Sequence, residues 1–309
     1  ETENGTNVTL ENHTFKFKVN VNTYEPTGVD TLIALTNNKD DSGLYTITHE
    51  ADSTLQIGTN ESITEYRYRG ANPKNYVTFN GETWRILGVF PVDDGNGNIE
   101  NRIKLIRNES IGNFYWNSCT DANSDYVCDT TNKAMNDWTG ATLNTYLNET
   151  YLNSLNSTTK NLISNAKYYL GGYTPDIQKN VMYQYERKIS GNTYYYGTNP
   201  NSWTGKIALM YASDYGYAAS DECTETLINY ENSTCKANNW LYNIKVNECM
   251  LPQLISGKGN VFDIRSDGYV SGGFVGSHKY AVRPTLYLTS SAKITGGSGT
   301  STDPYTLGL

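Results

Sequence analysis

Histidine is scarce in this chain of 309 residues, with only His13, His49 and His278. They lie far apart, and none has a carboxylate or a second histidine at metal-ligand spacing. Neither a zinc site nor a Ser-His-Asp triad can therefore be assembled from the sequence. The nucleophile elbow Gly-x-Ser-x-Gly, the phosphate-binding P-loop and the dinucleotide fingerprint are also missing. Charge is thin, at 18% of residues, and its balance is −8. A nucleic-acid partner requires clustered Lys and Arg to displace phosphate counterions, and no basic stripe is present, so no nucleic acid is expected. No apolar run approaches the roughly 20 residues that cross a bilayer, so no membrane span is expected in this chain. No signal-peptide hydrophobic segment opens it, and Glu1 reads as the start of a mature or trimmed form.

What the chain has in quantity is Tyr, 26 residues, and Gly, 27, with an excess of Asn, Thr and Ser. Ala, Leu, Glu and Lys are scarce, so the composition predicts a β-rich α+β fold. The five cysteines include two short-range pairs in polar stretches, Cys119 with Cys128 and Cys223 with Cys235. Such pairs suit disulfides in an oxidising compartment, and an extracellular or cell-surface location follows. Four free thiols and other connectivities stay open at this point. Cys249 is left over, as a buried small apolar residue or as a partner in an intermolecular bridge.

Alternation near the start places Phe15, Phe17, Val19 and Val21 on one face of a half-buried strand. A boundary is expected near Thr64, dividing a strand extension and connector (1–63) from a main domain (64–309). Three hairpins are predicted. The first turns at Asn80-Gly81, whose residues accept the positive φ of a type I′ turn. The second turns through residues 93–98, placing Ile103 and Leu105 opposite Arg102 and Lys104, and the third turns at Asp267-Gly268. Residues 141–170 have helical spacing. Leu143, Tyr146 and Leu147 form one stripe, Leu162, Ile163 and Ala166 a second behind a Ser157 cap, and Gly171-Gly172 stops the helix. Strands are predicted at 207–211 and 282–288, with a closing strand around Tyr305-Thr306-Leu307.

Several of these segments carry a resemblance: Tyr66-Arg67-Tyr68-Arg69-Gly70 with Thr83-Trp84-Arg85-Ile86-Leu87-Gly88, Lys104-Leu105-Ile106-Arg107, Tyr168-Tyr169-Leu170-Gly171-Gly172, Trp203-Thr204-Gly205-Lys206-Ile207, and the final Val282-Arg283-Pro284-Thr285-Leu286. In this order, from about residue 30 onward, the chain resembles a family of secreted and surface proteins of gut bacteria of the Mollicutes and Firmicutes type. The layout is similar to the C-type-lectin-like fold in the variant used by formylglycine-generating enzymes. The resemblance thus implies a C-type-lectin-like domain with an N-terminal β-strand extension. Formylglycine-generating enzymes use late active-site cysteines, and here only Cys249 is late and unpaired. Calcium-dependent lectins of this fold use Glu-Pro-Asn or Gln-Pro-Asp triplets, and neither occurs. Where relatives tend to have a Trp-Thr-Leu-Ser-Pro-like strand, this chain reads Cys249-Met250-Leu251-Pro252-Gln253.

Two patterns carry candidate chemistry. Asp121, Asn123, Asp125 and Asp129 stand at positions 1, 3, 5 and 9 of a calcium-type loop, since hard Ca2+ takes six to eight oxygens. The Gly of position 6 and the Glu of position 12 are absent, and a solvated acidic loop explains the same residues. The second pattern is aromatic. Tyr183, Tyr185, Tyr194, Tyr195, Tyr196, Tyr215 and Tyr217 crowd the middle of the chain, with Tyr211 nearby, and a late loop (271–279) adds Phe274 and His278. Tyrosine gives stiff, amphipathic contact area, as binding surfaces use. The expected function is an extracellular, non-enzymatic recognition module that binds a glycan or a host or bacterial surface protein. The alternative is a structural subunit of a surface filament or pilus, self-assembling by donation of the Phe15–Val21 strand to a neighbour's sheet. An oxidoreductase like the formylglycine-generating enzymes is a third, weaker reading.

Overall fold

The computed structural model describes residues 25–40, 42–191, 193–195, 197–242, 246–255 and 259–309. The expected assembly strand of Phe15, Phe17, Val19 and Val21 lies outside the described residues, and so does Tyr196. The architecture is α+β with strand well ahead of helix, 33% against 18%, in several sheets of which none closes.

The largest sheet is built mostly by local pairing. Its first five strands are β1 (Gly43–His49), β2 (Ile63–Arg69), β3 (Tyr76–Phe79), β4 (Glu82–Asp93) and β5 (Ile99–Arg107). The order runs β1-β2-β4-β5 and continues through Thr285–Tyr287 to Ile207–Ala208, with β3 also paired to β4. Asn80 and Gly81 have φ of 56° and 74°, the left-handed pair that the first predicted hairpin needs. Between β4 and β5 the carboxylates of Asp93 and Asp94 accept the N–H groups of Gly95 and Asn96 at 2.8 and 2.7 Å. They serve the turn. At Gly88 β2 crosses so close to β4 that a Cβ would stand 2.0 Å from the Tyr66 carbonyl oxygen. Only glycine lets this bulge close.

The other large sheet has five strands in the order Val270–Phe274, Asn260–Ile264, Glu248–Gln253, Tyr280–Ala281, Asn113–Phe114. Its first pair is the hairpin predicted at Asp267-Gly268. Every residue of Glu248–Gln253 is buried, so the Cys249-to-Gln253 run packs as a central strand. Trp116 Nε1 donates to the Met250 carbonyl at 3.0 Å, and its ring meets Trp138 at 5.2 Å. The last strands, Lys293–Gly296 and Thr306–Gly308, pair with each other, and Tyr305 bridges to Val77.

The division expected at residue 64 falls inside a continuous antiparallel pair. β1 and β2 match over all seven positions from Gly43↔Arg69 to His49↔Ile63. The helix Gly28–Ile33 also buries Val29 and Leu32 in the main core. Elements on both sides of residue 64 thus share the largest sheet and the main core. That helix opens on a capping box between Thr27 and Asp30. Thr27→Ala is expected to cost about 1 kcal/mol in chemical denaturation, and no measurable loss would show that the cap is idle.

Three local expectations are corrected. Helix covers Thr142–Thr145, Tyr146–Tyr151 and Leu152–Ser154, then Ser157–Leu162, whose cap is Asn156 accepting the Thr159 N–H at 2.8 Å. Ala166–Tyr169 is a strand paired with Ser202–Gly205, because its two tyrosines favour a pleated surface over another helical turn. Arg102 and Lys104 are buried, not solvent-facing, since both faces of the sheet are covered here.

Cys119–Cys128 and Cys223–Cys235 are joined as disulfides, with Cα separations of 5.9 and 4.6 Å. That fits an oxidising, extracellular setting. Cys249 is free and buried, and burial pushes its thiol far up, so it acts as a small apolar residue. Among the described residues, no helix is long and apolar enough to cross a membrane.

Candidate functional site: a tyrosine surface on a buried ionic frame

The interior beside β2 and β5 holds charge. Arg67 donates from Nε to Glu65 at 2.7 Å and from Nη1 to Asp214 Oδ1 at 2.8 Å. Lys104 Nζ reaches Asp214 Oδ2 at 2.5 Å, and its side chain is 0% exposed. Arg187 Nη1 meets Glu186 Oε2 at 2.9 Å, while Glu186 Oε1 accepts the Ser213 N–H at 2.9 Å. Three cations therefore face three carboxylates. Burial would raise the Glu65 carboxyl, but Arg67 and His49 outweigh it and hold it below its ordinary value. Asp214 is likewise held down, against burial, by Lys104 and Arg67. Burial wins at Glu186, which is raised, and at Lys104, which is lowered. Aromatic faces complete the packing: Arg187 lies 3.7 Å over Tyr183, Lys104 4.3 Å over Tyr211 and Arg67 4.8 Å over Tyr217.

This frame claims several tyrosines that the sequence places on a binding surface. Tyr183 is buried, stacked on His49 at 3.6 Å. Tyr217 packs against Tyr183 and Tyr45 in a small cluster of its own. Tyr215 is buried and donates its hydroxyl to the Gly268 carbonyl at 2.7 Å. Tyr195 is buried too, with its hydroxyl on the Lys188 carbonyl. These four are structural, because each ring fills the core or covers a cation.

Tyr185 and Tyr194 are partly exposed. Tyr185, on the helix Lys179–Glu186, projects away from its buried Met182, Tyr183 and Glu186. It meets Tyr173 edge-on at 5.2 Å and Tyr194 at 4.7 Å, and all three rings are half-buried. The backbone around this ladder is fixed by bonds from Gly172 N to Tyr194 O at 3.0 Å and from Ile255 N to Tyr173 O at 3.1 Å. Beside Tyr194 opens a groove of about 360 Å³, lined by Ser53, Thr54, Lys188, Ile189 and Ser190. Lys188 Nζ donates to Thr54 Oγ1 at 2.6 Å within it. By contrast, the cleft lined by Glu65, Tyr169, Tyr183 and Arg187 holds about 10 Å³, room for one water at most.

The late loop stands apart in its contacts. Phe274 packs edge-on against Tyr126 at 5.4 Å, and His278 is exposed with Nδ1 2.5 Å from Ser277 Oγ. In the acidic loop, Asp121 accepts the Thr130 N–H at 2.7 Å, and Asn123 accepts those of Asp125 and Val127 at 2.9 and 3.1 Å. Among the described residues, the one group of three carboxylate, thiol or imidazole ligand atoms within 4.8 Å is Cys119, Asp121 and Cys128. Two of those three ligand atoms are the sulfurs of the Cys119–Cys128 disulfide, and Asp125 and Asp129 do not join the group.

Sequence reasoning missed Tyr173 as the third ring, and also the charged frame. The available signal for the frame was charge inside strands, at Glu65, Arg67 and Lys104. Compared with protein-family models, curated proteins and solved structures, the chain has no match in any of the three.

Proposed function

We propose that this chain is an extracellular, non-enzymatic recognition module that binds glycan through the Tyr173–Tyr185–Tyr194 surface. One observation carries this reading: Tyr185 packs against both Tyr173 and Tyr194, all three rings are half-exposed, and Tyr194 borders a groove that also offers hydroxyl and ammonium donors. Sugar rings stack their C–H faces on such aromatics, while their hydroxyls take hydrogen bonds from Ser, Thr and Lys. A volume of about 360 Å³ is at the lower end of ligand sites and suits one or two sugar units. The two disulfides support the extracellular part of the reading. A C-type-lectin-like fold is proposed with it, on the resemblance and on the late hairpin of the five-stranded sheet. Calcium has no role in this reading.

Neutral glycans printed on an array, followed by titration calorimetry on the hits, test it. Tyr194→Ala is expected to weaken binding about tenfold, equivalent to one lost stacking contact of roughly 1.4 kcal/mol. Tyr185→Ala should do the same with unchanged melting temperature. An array without hits, or hits indifferent to both substitutions, would remove the proposal.

A further inference from the structure

A second open groove, of about 540 Å³, lies where β3 and β4 meet the residues 233–242. It shares no residue with the groove at Tyr194. Among the described residues, Tyr76, Trp240 and Tyr242 form its aromatic walls, Arg85 and Lys236 are its cations, and no carboxylate lines it. In a chain of net charge −8, that balance of sign is local and specific.

Arg85 is the unusual member. Its residue is 3% exposed, with the guanidinium 3.8 Å over the Tyr76 ring and 4.7 Å from that of Trp240. Nε donates to Asn75 Oδ1 at 2.6 Å, while Nη2 is buried and meets no acceptor. The other deeply buried guanidinium groups have carboxylates: Arg67 has Glu65 and Asp214, Arg187 has Glu186, and Arg283 has Glu248. Among the described residues Arg85 has none. Burial, with Arg283 nearby, pushes the Arg85 guanidinium down to about 10, which still leaves it charged at neutral pH. A buried cation without a counter-charge is costly, and an anion brought from outside would relieve that cost.

The walls are held in place before any ligand arrives. Trp240 Nε1 donates to the Tyr68 carbonyl at 2.8 Å, and the Tyr242 hydroxyl donates to the Ser266 carbonyl at 2.7 Å. The helix that bears Lys236 also carries Cys235, bonded to Cys223. Such pre-organisation keeps the ordering cost of binding low.

We propose that this groove is a binding site for an acidic sugar, a pyranose bearing a carboxylate or sulfate group. The oxyanion sits on Arg85 and Lys236, and the ring lies against the half-exposed rings of Tyr76 and Tyr242. A guanidinium fork matches either oxyanion with two parallel hydrogen bonds.

The experiment is titration calorimetry of the full chain with glucuronic acid, N-acetylneuraminic acid, galactose 6-sulfate and, as the neutral control, galactose. The acidic sugars are expected to bind at least tenfold more tightly than galactose. Preference for the carboxylates or for the sulfate assigns the oxyanion, and either supports the site. Lys236→Glu, at the half-buried rim, should weaken binding tenfold or more without moving the melting temperature. Arg85→Gln should abolish it, and the rim variant decides the matter if that protein fails to fold. Tyr194→Ala should leave acidic-sugar binding intact, which separates this site from the tyrosine ladder. Equal binding of galactose and the acids, no binding of any, or indifference to Lys236→Glu would overturn the proposal.

Discussion

Asp214→Ala is expected to destabilise the fold by about 3–5 kcal/mol, because it strands the buried Lys104 ammonium and takes from Arg67 one of its two carboxylates. Asp214 Oδ1 accepts from Arg67, and Oδ2 accepts from Lys104 and from the Tyr211 N–H at 2.9 Å. Neither cation can reach water from its present position, since both side chains are almost wholly buried. Urea denaturation of the variant measures the loss. A cost below about 1 kcal/mol would mean that Lys104 swings to solvent and that the frame is softer than its packing indicates. The double variant Asp214→Ala with Lys104→Met should recover part of the loss, because the stranded ammonium is then gone. Additive losses would deny the coupling.

Two carboxylates of this network contribute a pH dependence of one sign, opposite to that of the raised Glu186. Glu65 and Asp214 both have folded values below their ordinary ones. Their stabilisation is present above the unfolded range near pH 4 and is lost as pH falls through the lower folded values. Acid should therefore loosen the point where β2, β5 and the helix Ala212–Ala218 meet. A charged frame of this type is a weak source of net stability, since its desolvation offsets most of its attraction. Its value lies in register. Arg67, Lys104 and Arg187 each find a partner in one arrangement of strands and helices, and that arrangement holds Tyr185 and Tyr194 at the surface above.

The hairpins were legible because their causes are local. Asn80-Gly81 and Asp267-Gly268 state their turn geometry in two residues, and the flanking alternation fixes the strands. The β-rich α+β class followed from composition for a similar reason. Lys104 shows where legibility stops. Alternation along β5 assigns it to a polar face, and that inference assumes water there. The helix Ala212–Ala218, more than a hundred residues later, covers that face and supplies Asp214. Ala166 failed differently: helical spacing over a few residues cannot outweigh the pairing offered by Ser202–Gly205. The tyrosines divided along the same line. A count of Tyr cannot separate a ring over a buried guanidinium, such as Tyr183, from one at the rim of a groove, such as Tyr194. The Arg85 groove was illegible for a plain reason: its cation and its indole are brought together from positions 85 and 240.

Asp263→Asn is expected to stabilise the protein at pH 7.5, by about 2–3 kcal/mol, and to change little at pH 4. Asp263 lies on Asn260–Ile264 between neighbouring strands, opposite Cys249 on one side and Ser271 on the other, with its side chain 0% exposed. Arg265 Nε stands 3.2 Å from Oδ2, but the alignment is not that of a hydrogen bond, and both carboxylate oxygens lack a donor. Burial therefore pushes the carboxyl up to about 6, with Arg265 only partly opposing it. The sign follows from proton counts. Between about pH 4 and 6 the folded state holds a proton that the unfolded chain has released, so stability falls as pH rises through this window. Above it, folding must bury the ionised group, and asparagine removes that requirement. Tyr280 and Cys249, which face the same carboxylate, are themselves raised by burial and stay neutral throughout the window. Thermal melts of the two proteins at pH 4 and 7.5 decide the matter. A gain of equal size at both values would show that ionisation of Asp263 is not its cause, and a loss at pH 7.5 would show that Asp263 is ionised and satisfied in the fold. The arrangement described here leaves it ionised at neutral pH without a hydrogen-bond donor, the opposite of Asp214, whose two oxygens each meet a cation.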